Sequence, residues 1–403
     1  MNQPNLFILD NGASTIKAGF STSSTPKIIT NAIIKCKSDR NRLYIGAQVD
    51  ELTDKSALFC NIPCERGYIM DYNIQYQIWD QMWGPECFNI DFANTNLVLT
   101  DANLNVPAIK NCNLEVMYEY YGFGGLLETS ASSLVASDRL WQQNKKACLV
   151  VDTGYSFTHI LPYVDGKLLL SNVVRIDIGG KALTNQLCEL ISYRQIDVSE
   201  EKYIMDDVKI KCCYVPQNFL KDLAICELKT KENLIRRTYV MPDFVDNLHG
   251  IILLPNQPKP PSYSNNQTIT LNNERFSIPE LLFNPSDIEV NQKGIADALA
   301  DCLNQMKLPY QSALFGNINV VGGCALFEGF EERLKNDVRS QCDPNIKMDI
   351  HIPENAITEA WCCGQRNGDK LSEKVVTKAF YDDQGSDRVD KCMKQFWHHS
   401  ALP

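Results

Sequence analysis

The sequence has no hydrophobic run long enough to cross a membrane and no excess of positive charge. No stretch reaches the roughly 18 apolar residues of a membrane-spanning helix. The opening MNQPNLFILDNG lacks the basic start and apolar centre of a secretory signal. The formal net charge is -10 and the sequence pI is about 5.1. We therefore expect an intracellular protein without membrane contact, and not one that grips DNA phosphates with a broad basic face.

The sequence also lacks the cysteine spacing of a metal site. None of its 16 cysteines forms a Cys-x-x-Cys pair, and the nearest groupings are Cys60 with Cys64, Cys212 with Cys213, and Cys362 with Cys363. Adjacent cysteines suit tetrahedral zinc poorly. We expect reduced thiols that fill core space rather than a structural zinc.

What the sequence does have is a long, alternating α/β pattern. Its 403 residues, 44% of them hydrophobic and 22% charged, are enough for two lobes or one large two-part unit. Apolar strand-like runs alternate with helical patterns such as NIQYQIWDQMW and GIADALADCLNQM. No heptad or other short-period repeat is present.

Two matched hairpin patterns lie more than a hundred residues apart. LFILDNGASTIKAGF (6–20) and KKACLVVDTGYSFTHILPYV (145–164) each read as an apolar strand, an Asp, a glycine-containing turn and a second strand. This duplication suggests that each lobe contributes one loop to a shared cleft. A third turn, Gly322-Gly323, follows the strand NINVV and precedes a helical pattern at Phe330, Leu334 and Val338.

These loops have the residue types of a phosphate site. Backbone amides at Gly12 and Gly154 can point at a phosphate, and Asp10 and Asp152 can hold Mg²⁺ through its waters. Lys17 supplies a point charge. The alternative is that Asp-Asn-Gly is an ordinary hairpin turn beside a solvated lysine. That interpretation suits one loop taken alone, whereas two matched loops and a glycine pair favour a nucleotide.

Five segments together resemble the actin family: LDNGASTIKAGF, VVDTGYSFTHILPY, RIDIGGKALTNQL, VVGGCALFEGFEERL and NNERFSIPELLFNPSDI. The resemblance covers nearly the whole chain. It implies an α/β, actin-like ATPase fold with two lobes, each on a mixed sheet flanked by helices, around a nucleotide cleft. The implied boundaries are lobe I at 1–139 plus 350–403 with a small subdomain at 31–66, and lobe II at 140–349 with a small subdomain at 179–278 that contains an insertion at 230–268.

The resemblance also implies a nucleotide site for ATP or ADP with Mg²⁺, the metal held through water by Asp10 and Asp152. The matching positions are Asp10, Asn11, Gly12, Lys17, Asp152, Gly154, Gly180, Lys209, Gly322, Gly323 and Phe327. Several positions depart from the family. Tyr155 and Ser156 replace its acid and glycine, Ile210 replaces a glutamate beside the nucleoside, and Phe327 replaces a tyrosine. We expect the nucleotide, where bound, to be a structural ligand that ties the lobes.

Hydrolysis is not expected. The stretch LLETSASSLVAS matches the family's helix that carries the glutamine orienting the attacking water, and Thr129 stands at that position. A shorter hydroxyl side chain should place the water poorly. His159, which the family uses to order that water, is kept, although a lone histidine beside an apolar strand is more often packed core. We therefore expect no catalytic residue.

The segments DTGYSFTHILPY, ISYRQIDV, YVMPDF, FNPSDI and PENAITEAW resemble a nuclear subfamily of actin-related proteins. Its members are subunits of SWR/SRCAP-type chromatin remodellers that exchange a variant core histone into nucleosomes. This implies a non-catalytic structural subunit whose partners are the remodeller ATPase, a HIT-type zinc-finger subunit and, indirectly, histones or the nucleosome. The location implied is the nucleus, with some protein in the cytoplasm.

Two other functions remain open from the sequence. One is an enzyme, an ATPase or sugar kinase, but a kinase needs a further carboxylate as base, and we identify none. The other is a cytoskeletal actin-like protein. The stretch 31–67 lacks the family's subunit-binding loop, so we expect no self-polymerisation. The apolar insertion ENLIRRTYVMPDFVDNLHGIILL is covered either by its own lobe or by a docked partner.

Overall fold

The structure is a computed structural model that describes residues 5–37, 42–143, 145–229 and 232–397. Residues 38–41 of the predicted small subdomain, the start of the predicted insertion at 230–231, residue 144 and the end of the predicted lobe I from 398 lie outside the described residues.

The strands, numbered in chain order, have the following bounds: β1 Asn5–Asn11, β2 Thr15–Phe20, β3 Lys27–Thr30, β4 Ile33–Lys35, β5 Leu43–Ile45, β6 Phe59–Asn61, β7 Cys64–Glu65, β8 Tyr68–Ile69, β9 Thr95–Asp101, β10 Gly125–Ser130, β11 Ala147–Thr153, β12 Thr158–Val164, β13 Lys167–Leu168, β14 Val174–Ile176, β15 Arg237–Val240, β16 Ile251–Leu253, β17 Thr268–Leu271, β18 Ile318–Val321, β19 Ile350–His351 and β20 Val376–Thr377.

The α-helices are α1 Tyr72–Trp83, α2 Pro107–Glu115, α3 Ala131–Gln143, α4 Gly180–Arg194, α5 Lys202–Cys212, α6 Phe219–Cys226, α7 Glu274–Glu280, α8 Ile295–Asn304, α9 Leu308–Phe315, α10 Phe330–Ser340, α11 Glu359–Arg366, α12 Gly368–Ser372, α13 Lys378–Gln384 and α14 Ser386–Trp397. The predicted helix behind the third turn is confirmed, since Phe330, Leu334 and Val338 are the buried residues of α10.

Two large mixed sheets organise these elements. The first has the order β20-β10-β9-β1-β2-β3, and the second has the order β13-β12-β11-β18-β19, with β14 also paired to β12. Strands β1, β9 and β10 are parallel, as are β11 and β18, while each predicted hairpin closes with an antiparallel partner. The carboxyl ends of parallel strands meet at one edge of a sheet, which is where open α/β folds bind ligands.

The alternation of side chains along β1 explains how the two sheets share a core. Phe7 and Leu9 face a cluster under one side of the first sheet, whereas Ile8 faces the opposite side. Ile8 lies in a cluster that includes Val150 and Leu161 of the second sheet, so this layer joins the sheets. Trp361 of α11 is buried in the same layer and donates its indole N–H to the Ile8 carbonyl at 3.1 Å. The predicted α/β class is confirmed.

The predicted insertion is partly core and partly surface. β15, β16 and β17 form a three-stranded sheet. Tyr239 and Val240 of β15 are fully buried, and the Tyr239 hydroxyl donates to Asp207 of α5 at 2.5 Å. Val245 and Leu248, in the connection between β15 and β16, are instead exposed to 82% and 49%. Cover by its own lobe therefore describes β15, whereas cover of the exposed connection by a docked partner stays a prediction.

Two general findings concern membranes and metals. Within the described residues, no helix combines the length and the apolar character that crossing a bilayer requires. In that same part of the chain, one group of three side chains has metal-ligand spacing: Asp138, Glu359 and Cys363. Arg366 occupies it as an organic cation, 2.8 Å from Asp138 and 2.7 Å from Glu359.

Candidate functional site

The first candidate loop joins β1 and β2. Asp10 ends the buried part of β1 and lies opposite Lys17 in the antiparallel register. The Lys17 ammonium is 3.6 Å from an Asp10 carboxylate oxygen and also donates to the Thr15 carbonyl. A Cβ at Gly12 would lie 2.6 Å from that same carbonyl, so the turn has no room for a side chain. The hairpin thus places a carboxylate and an ammonium side by side at the edge of the sheet.

Two neighbours fix this loop from the side of the first sheet. Thr100, at the end of β9, donates its hydroxyl to Asp10 at 2.7 Å and accepts the Asn11 backbone N–H at 3.1 Å. The Asn11 side chain accepts from the Trp79 indole at 3.2 Å and donates to Gln75. Asn11 therefore secures the loop to α1. Sequence reasoning missed Thr100, although a polar residue closing an apolar parallel strand is a signal for such a role.

The second candidate loop joins β11 and β12. Asp152 lies opposite His159 in the register, and the Gly154 N–H donates to the Phe157 carbonyl at 3.1 Å. Burial, and to a smaller extent the negative charge of Asp10, raise the pKa of Asp152 to about 7, although Lys17 opposes both effects. Because the charge of Asp10 acts on Asp152, the two predicted metal-holding acids lie close enough to interact.

The remaining predicted glycines pack on this second loop. Gly180, at the start of α4, donates its N–H to the Gly154 carbonyl at 3.0 Å. Gly322 has a φ of +100°, and a Cβ there would lie 2.2 Å from the Thr153 carbonyl oxygen. Gly323 is looser, because a Cβ would only contact Ile357 at 3.8 Å. Two segments that are distant in sequence, the start of α4 and the turn after β18, therefore pack on the loop after β11.

Gly179 is a residue that sequence reasoning passed over. A Cβ on it would lie 2.6 Å from the Phe157 nitrogen and 2.7 Å from the Tyr155 carbonyl oxygen. The loop Tyr155–Phe157 thus packs directly against the start of α4, and Lys181 donates its N–H to Tyr155 O at 2.8 Å. The double glycine in RIDIGG was the available signal.

Lys209 is a buried residue of α5 whose side chain links that helix to α4. Its ammonium donates to the Gly180 carbonyl at 3.2 Å, to the Thr184 hydroxyl at 2.8 Å and to Asp206 at 2.5 Å. An ammonium has three protons, and these three acceptors match them. The prediction that Lys209 lies under an adenine stays a prediction, and its neighbour Ile210 is 66% exposed. Phe327 lines a separate cavity of about 610 Å³ with Gly329, Glu331, Lys335 and Glu354 among others.

His159 is a neutral, packed histidine. It is 1% exposed, and its ring centroid is 4.2 Å from that of Phe157. Burial, and to a smaller extent the charge of Arg175, lower the pKa of His159 to about 4. Its Nδ1 has no hydrogen-bond partner among the described residues. At neutral pH, this side chain therefore carries no positive charge toward the cleft.

The sequence matches the actin family over residues 1–394. The chain belongs to the actin family. It is 36% identical over 392 residues to Actin-related protein 6 of Drosophila melanogaster, an alignment that covers 95% of this chain and 98% of that protein. It is 32% identical over 426 residues to Actin-related protein 6 of Arabidopsis thaliana, covering 98% and 100%. A third relative is Actin-related protein 6 of Neurospora crassa, 32% identical over 413 residues, covering 94% and 92%.

Within this actin-family fold, the predicted placement of Thr129 on a helix is wrong. Thr129 is the second-last residue of β10 and pairs with Thr100 of the parallel strand β9, and the helix α3 begins only at Ala131. The backbone of LLETS stays extended because it completes the parallel ladder beside β9. Thr129 is 8% exposed, and its hydroxyl has no hydrogen-bond partner among the described residues. No amide side chain stands at this position.

Members of the actin family generally bind a nucleotide with Mg²⁺. On the phosphate side the residues fit such a ligand, because Asp10 and Asp152 form an electrostatically coupled acid pair beside Lys17 and carboxylates suit magnesium. Magnesium held there would neutralise phosphate charge. On the nucleoside side the fit is weaker, since Lys209 has three protein partners.

Proposed function

We propose that this chain is a non-catalytic structural subunit of a nuclear chromatin-remodelling complex that exchanges a variant core histone into nucleosomes. Support comes from its similarity, over about 95% of its length, to proteins named Actin-related protein 6, because the nuclear subfamily that its motifs resemble works in SWR/SRCAP-type remodellers. The proposed partners are the remodeller ATPase and a HIT-type zinc-finger subunit, with histones or the nucleosome contacted indirectly. The proposed location is mainly the nucleus.

The observation that best supports the scaffold role is the loop 243–248, whose backbone is fixed by hydrogen bonds while its apolar side chains are exposed. A carboxylate oxygen of Asp243 accepts the backbone N–H groups of Val245, Asp246 and Asn247 at 2.8–3.0 Å. These bonds lower the pKa of Asp243, and they fix the backbone of the turn 243–247 in one conformation. Val245 and Leu248 are nevertheless exposed to 82% and 49%. An ordered apolar projection is a feature of docking sites, because little conformational entropy is lost on binding.

The test combines a pull-down from nuclear extract, read by mass spectrometry, with a charged double variant of this loop. The wild-type chain should retain a large helicase-type ATPase and a HIT zinc-finger protein. Val245→Asp with Leu248→Asp should reduce that recovery at least tenfold and leave the melting temperature nearly unchanged. Leu308→Asp is the matched control, because Leu308 is 72% exposed on a different element. Wild-type protein recovered alone, or with cytoskeletal proteins only, contradicts the proposal.

The loop variant is sharper than removal of the whole insertion. Tyr239 and Val240 are buried, and β15 pairs with both β16 and β17. Deleting 232–268 would therefore expose apolar core and destabilise the lobe, whatever its partners.

We infer that a nucleotide, where bound, serves structure rather than turnover. The acid pair and Lys17 supply the phosphate side, whereas Thr129 offers no amide to place an attacking water in line. Acid treatment of the pure protein should release ATP or ADP, and added Mg-ATP should raise the melting temperature. No phosphate release above the blank is expected.

Lys17→Met should abolish that thermal shift, and Lys27→Met is its matched control, since Lys27 lies exposed on the adjacent strand β3. The structural-nucleotide inference fails if no nucleotide is released and Mg-ATP leaves the melting temperature unchanged. Steady phosphate release that Asp152→Asn abolishes would show instead that the chain is an ATPase.

A further inference from the structure

A second polar cavity lies at the carboxyl edge of the first sheet, next to Thr100, whose hydroxyl donates to Asp10. Its volume is about 360 Å³, and it opens between the ends of β9 and β10, the start of α2 and the segment Leu168–Leu170. Its polar lining includes Asp101, Asn103, Asn105, Lys110, Glu128, Thr129, Ser130, Ser133 and Asp390. We call it the acidic pocket. None of the predicted nucleotide-binding residues lines it.

Two buried polar atoms of the pocket have no hydrogen-bond partner among the described residues. One carboxylate oxygen of Asp101 accepts the Ala102 N–H at 2.8 Å and the Asn105 amide at 2.6 Å, while its other oxygen has no partner. The Thr129 hydroxyl is also without a partner, and Thr129 is 8% exposed. Buried polar groups are nearly always satisfied in folded proteins. Their position on the wall of one cavity points to a ligand that supplies donors.

The charge of the pocket determines the sign of that ligand. Asp101, Glu128 and Asp390 line it, with Lys110 as the one lysine or arginine among the lining residues. Burial raises the pKa of Asp101, and burial together with the charge of Asp101 raises the pKa of Glu128 to about 8. Lys110 opposes both shifts without cancelling them. A second cation in the pocket would favour the charged forms of these acids, whereas an anion would not.

A metal ion fits this lining poorly. Among the described residues, the one group of three acid, cysteine or histidine side chains with metal-ligand spacing is the Asp138 group that Arg366 holds. Within the described part of the chain, neither Asp101 nor Glu128 belongs to a group of that spacing. Acceptors at separate points of a cavity match an organic cation that carries several N–H donors in a fixed arrangement.

The rim of the pocket is apolar and exposed. Leu104 and Leu170 are exposed to 52% and 56%, and Pro107 and Leu168 complete this lining. Leu104 has a φ of +59°, a left-handed conformation that is unfavourable for a residue with a Cβ. A polar floor below an apolar mouth matches an arginine side chain, whose stem is apolar and whose head is a planar cation.

We propose that the acidic pocket receives one arginine side chain from an apolar segment of a partner protein. The occupant is a protein segment rather than a free amine, because a small cation would leave Leu104 and Leu170 uncovered. Arginine is favoured over lysine because the unpartnered Asp101 oxygen and the Thr129 hydroxyl are separate acceptors, and a guanidinium forks toward several acceptors at once. The inference rests on the proposed scaffold role, since that role supplies the partner.

The test is a titration of the full chain with acetyl-Leu-Arg-Leu-amide, with the peptide that carries citrulline in place of arginine as its uncharged match. The arginine peptide should bind at least tenfold more tightly than the citrulline peptide, and more tightly than the lysine peptide. Glu128→Gln and Asp101→Asn should each weaken binding at least tenfold. Glu86→Gln, a change at an exposed acid outside the pocket, should leave binding unchanged. Circular dichroism confirms folding of each variant.

Three results would overturn the inference. The first is no saturable binding of the arginine peptide up to about 10 mM. The second is equal affinity for the arginine and citrulline peptides. The third is that Glu128→Gln and Glu86→Gln bind the arginine peptide with equal affinity. Tighter binding of the lysine peptide would overturn the choice of arginine. If Asp101→Asn fails to fold, Glu128→Gln alone decides.

The outcome is separable from that of the scaffold proposal. A complex that assembles normally from nuclear extract, with no peptide binding in the pocket, overturns the pocket and leaves the scaffold role intact. Arginine-selective binding by a chain that recovers no remodeller subunits contradicts the scaffold role and leaves the pocket a site for a different partner.

Discussion

The carboxyl edges of the two large sheets are built in different ways. At the first sheet, Asp10, Thr100 and Glu128 are held by side-chain hydrogen bonds and by charge. At the second sheet, the loop after β11 is held by close backbone contacts, with Gly179 and Gly322 packed on it at distances that exclude a Cβ. One edge therefore depends on polar chemistry and the other mainly on the absence of side chains.

This difference separates two hairpins that look equivalent in sequence. Gly12 is required by its own turn, since a Cβ would lie 2.6 Å from the Thr15 carbonyl oxygen. Gly154 is not, because a Cβ there would be in ordinary contact, 3.7 Å from an Asp152 oxygen. In the second hairpin the steric demand falls on glycines supplied by α4 and by the turn after β18. Two hairpins with the same sequence pattern can thus be stabilised differently, one by its own glycine and the other by glycines of neighbouring segments.

The largest expected effect is at the second edge. Gly322→Ala should destabilise the chain by about 3 kcal/mol, because it combines a positive φ with a backbone clash. Urea unfolding followed by circular dichroism measures the change. Gly323→Ala is the matched control one residue away, where a Cβ meets only Ile357 at 3.8 Å, and it should be near neutral. Equal losses of unfolding free energy in the two variants would show that close backbone contacts do not stabilise the edge of the second sheet.

The second effect tests the charge dependence of the first edge. The pKa of Glu128 is about 8 in the folded chain, above its ordinary value of 4.5. The folded state therefore holds a proton that the unfolded state has released. That contribution to stability is complete below pH 4.5 and is lost as the pH rises through 8.

Between pH 6 and pH 9, wild-type stability should consequently fall by about 3 kcal/mol more than that of Glu128→Gln. Asp152, with its raised pKa, adds a loss of the same sign, but it is present in both proteins and cancels from the comparison. Unfolding free energies at the two pH values provide the measurement. Parallel pH profiles for the two proteins would mean that Glu128 is charged throughout this range.

Much of this architecture follows from the sequence because its signals are local. The Asp-turn-glycine patterns predicted both hairpins, and the apolar run at the start of the first one predicted the buried strand β1. The actin family follows from motifs spread along nearly the whole chain. Such signals are carried by neighbouring residues, so they are readable without coordinates.

The features that escaped prediction are tertiary. Thr129 lies in a strand because β9 offers a parallel partner, which a short segment such as LLETS does not reveal. The three hydrogen bonds of Lys209 depend on how α4 packs against α5. The acidic pocket assembles residues from β9, β10, α2 and α14. In each case the decisive partner is distant in sequence.

The smallest expected effect compares one hydroxyl on each edge. Thr100 serves two groups, Asp10 and the Asn11 N–H, so Thr100→Val should cost about 1 kcal/mol by leaving both unsatisfied. Thr153→Val is its counterpart on β11, where the hydroxyl pairs with Thr158 at 3.0 Å and Thr158 keeps its own bond to the Ile178 carbonyl. Its cost should be less than half as large in the same urea titration. If Thr153→Val costs as much as Thr100→Val, the second edge depends on side-chain hydrogen bonds as strongly as the first, and glycine packing alone does not explain how its loop is held.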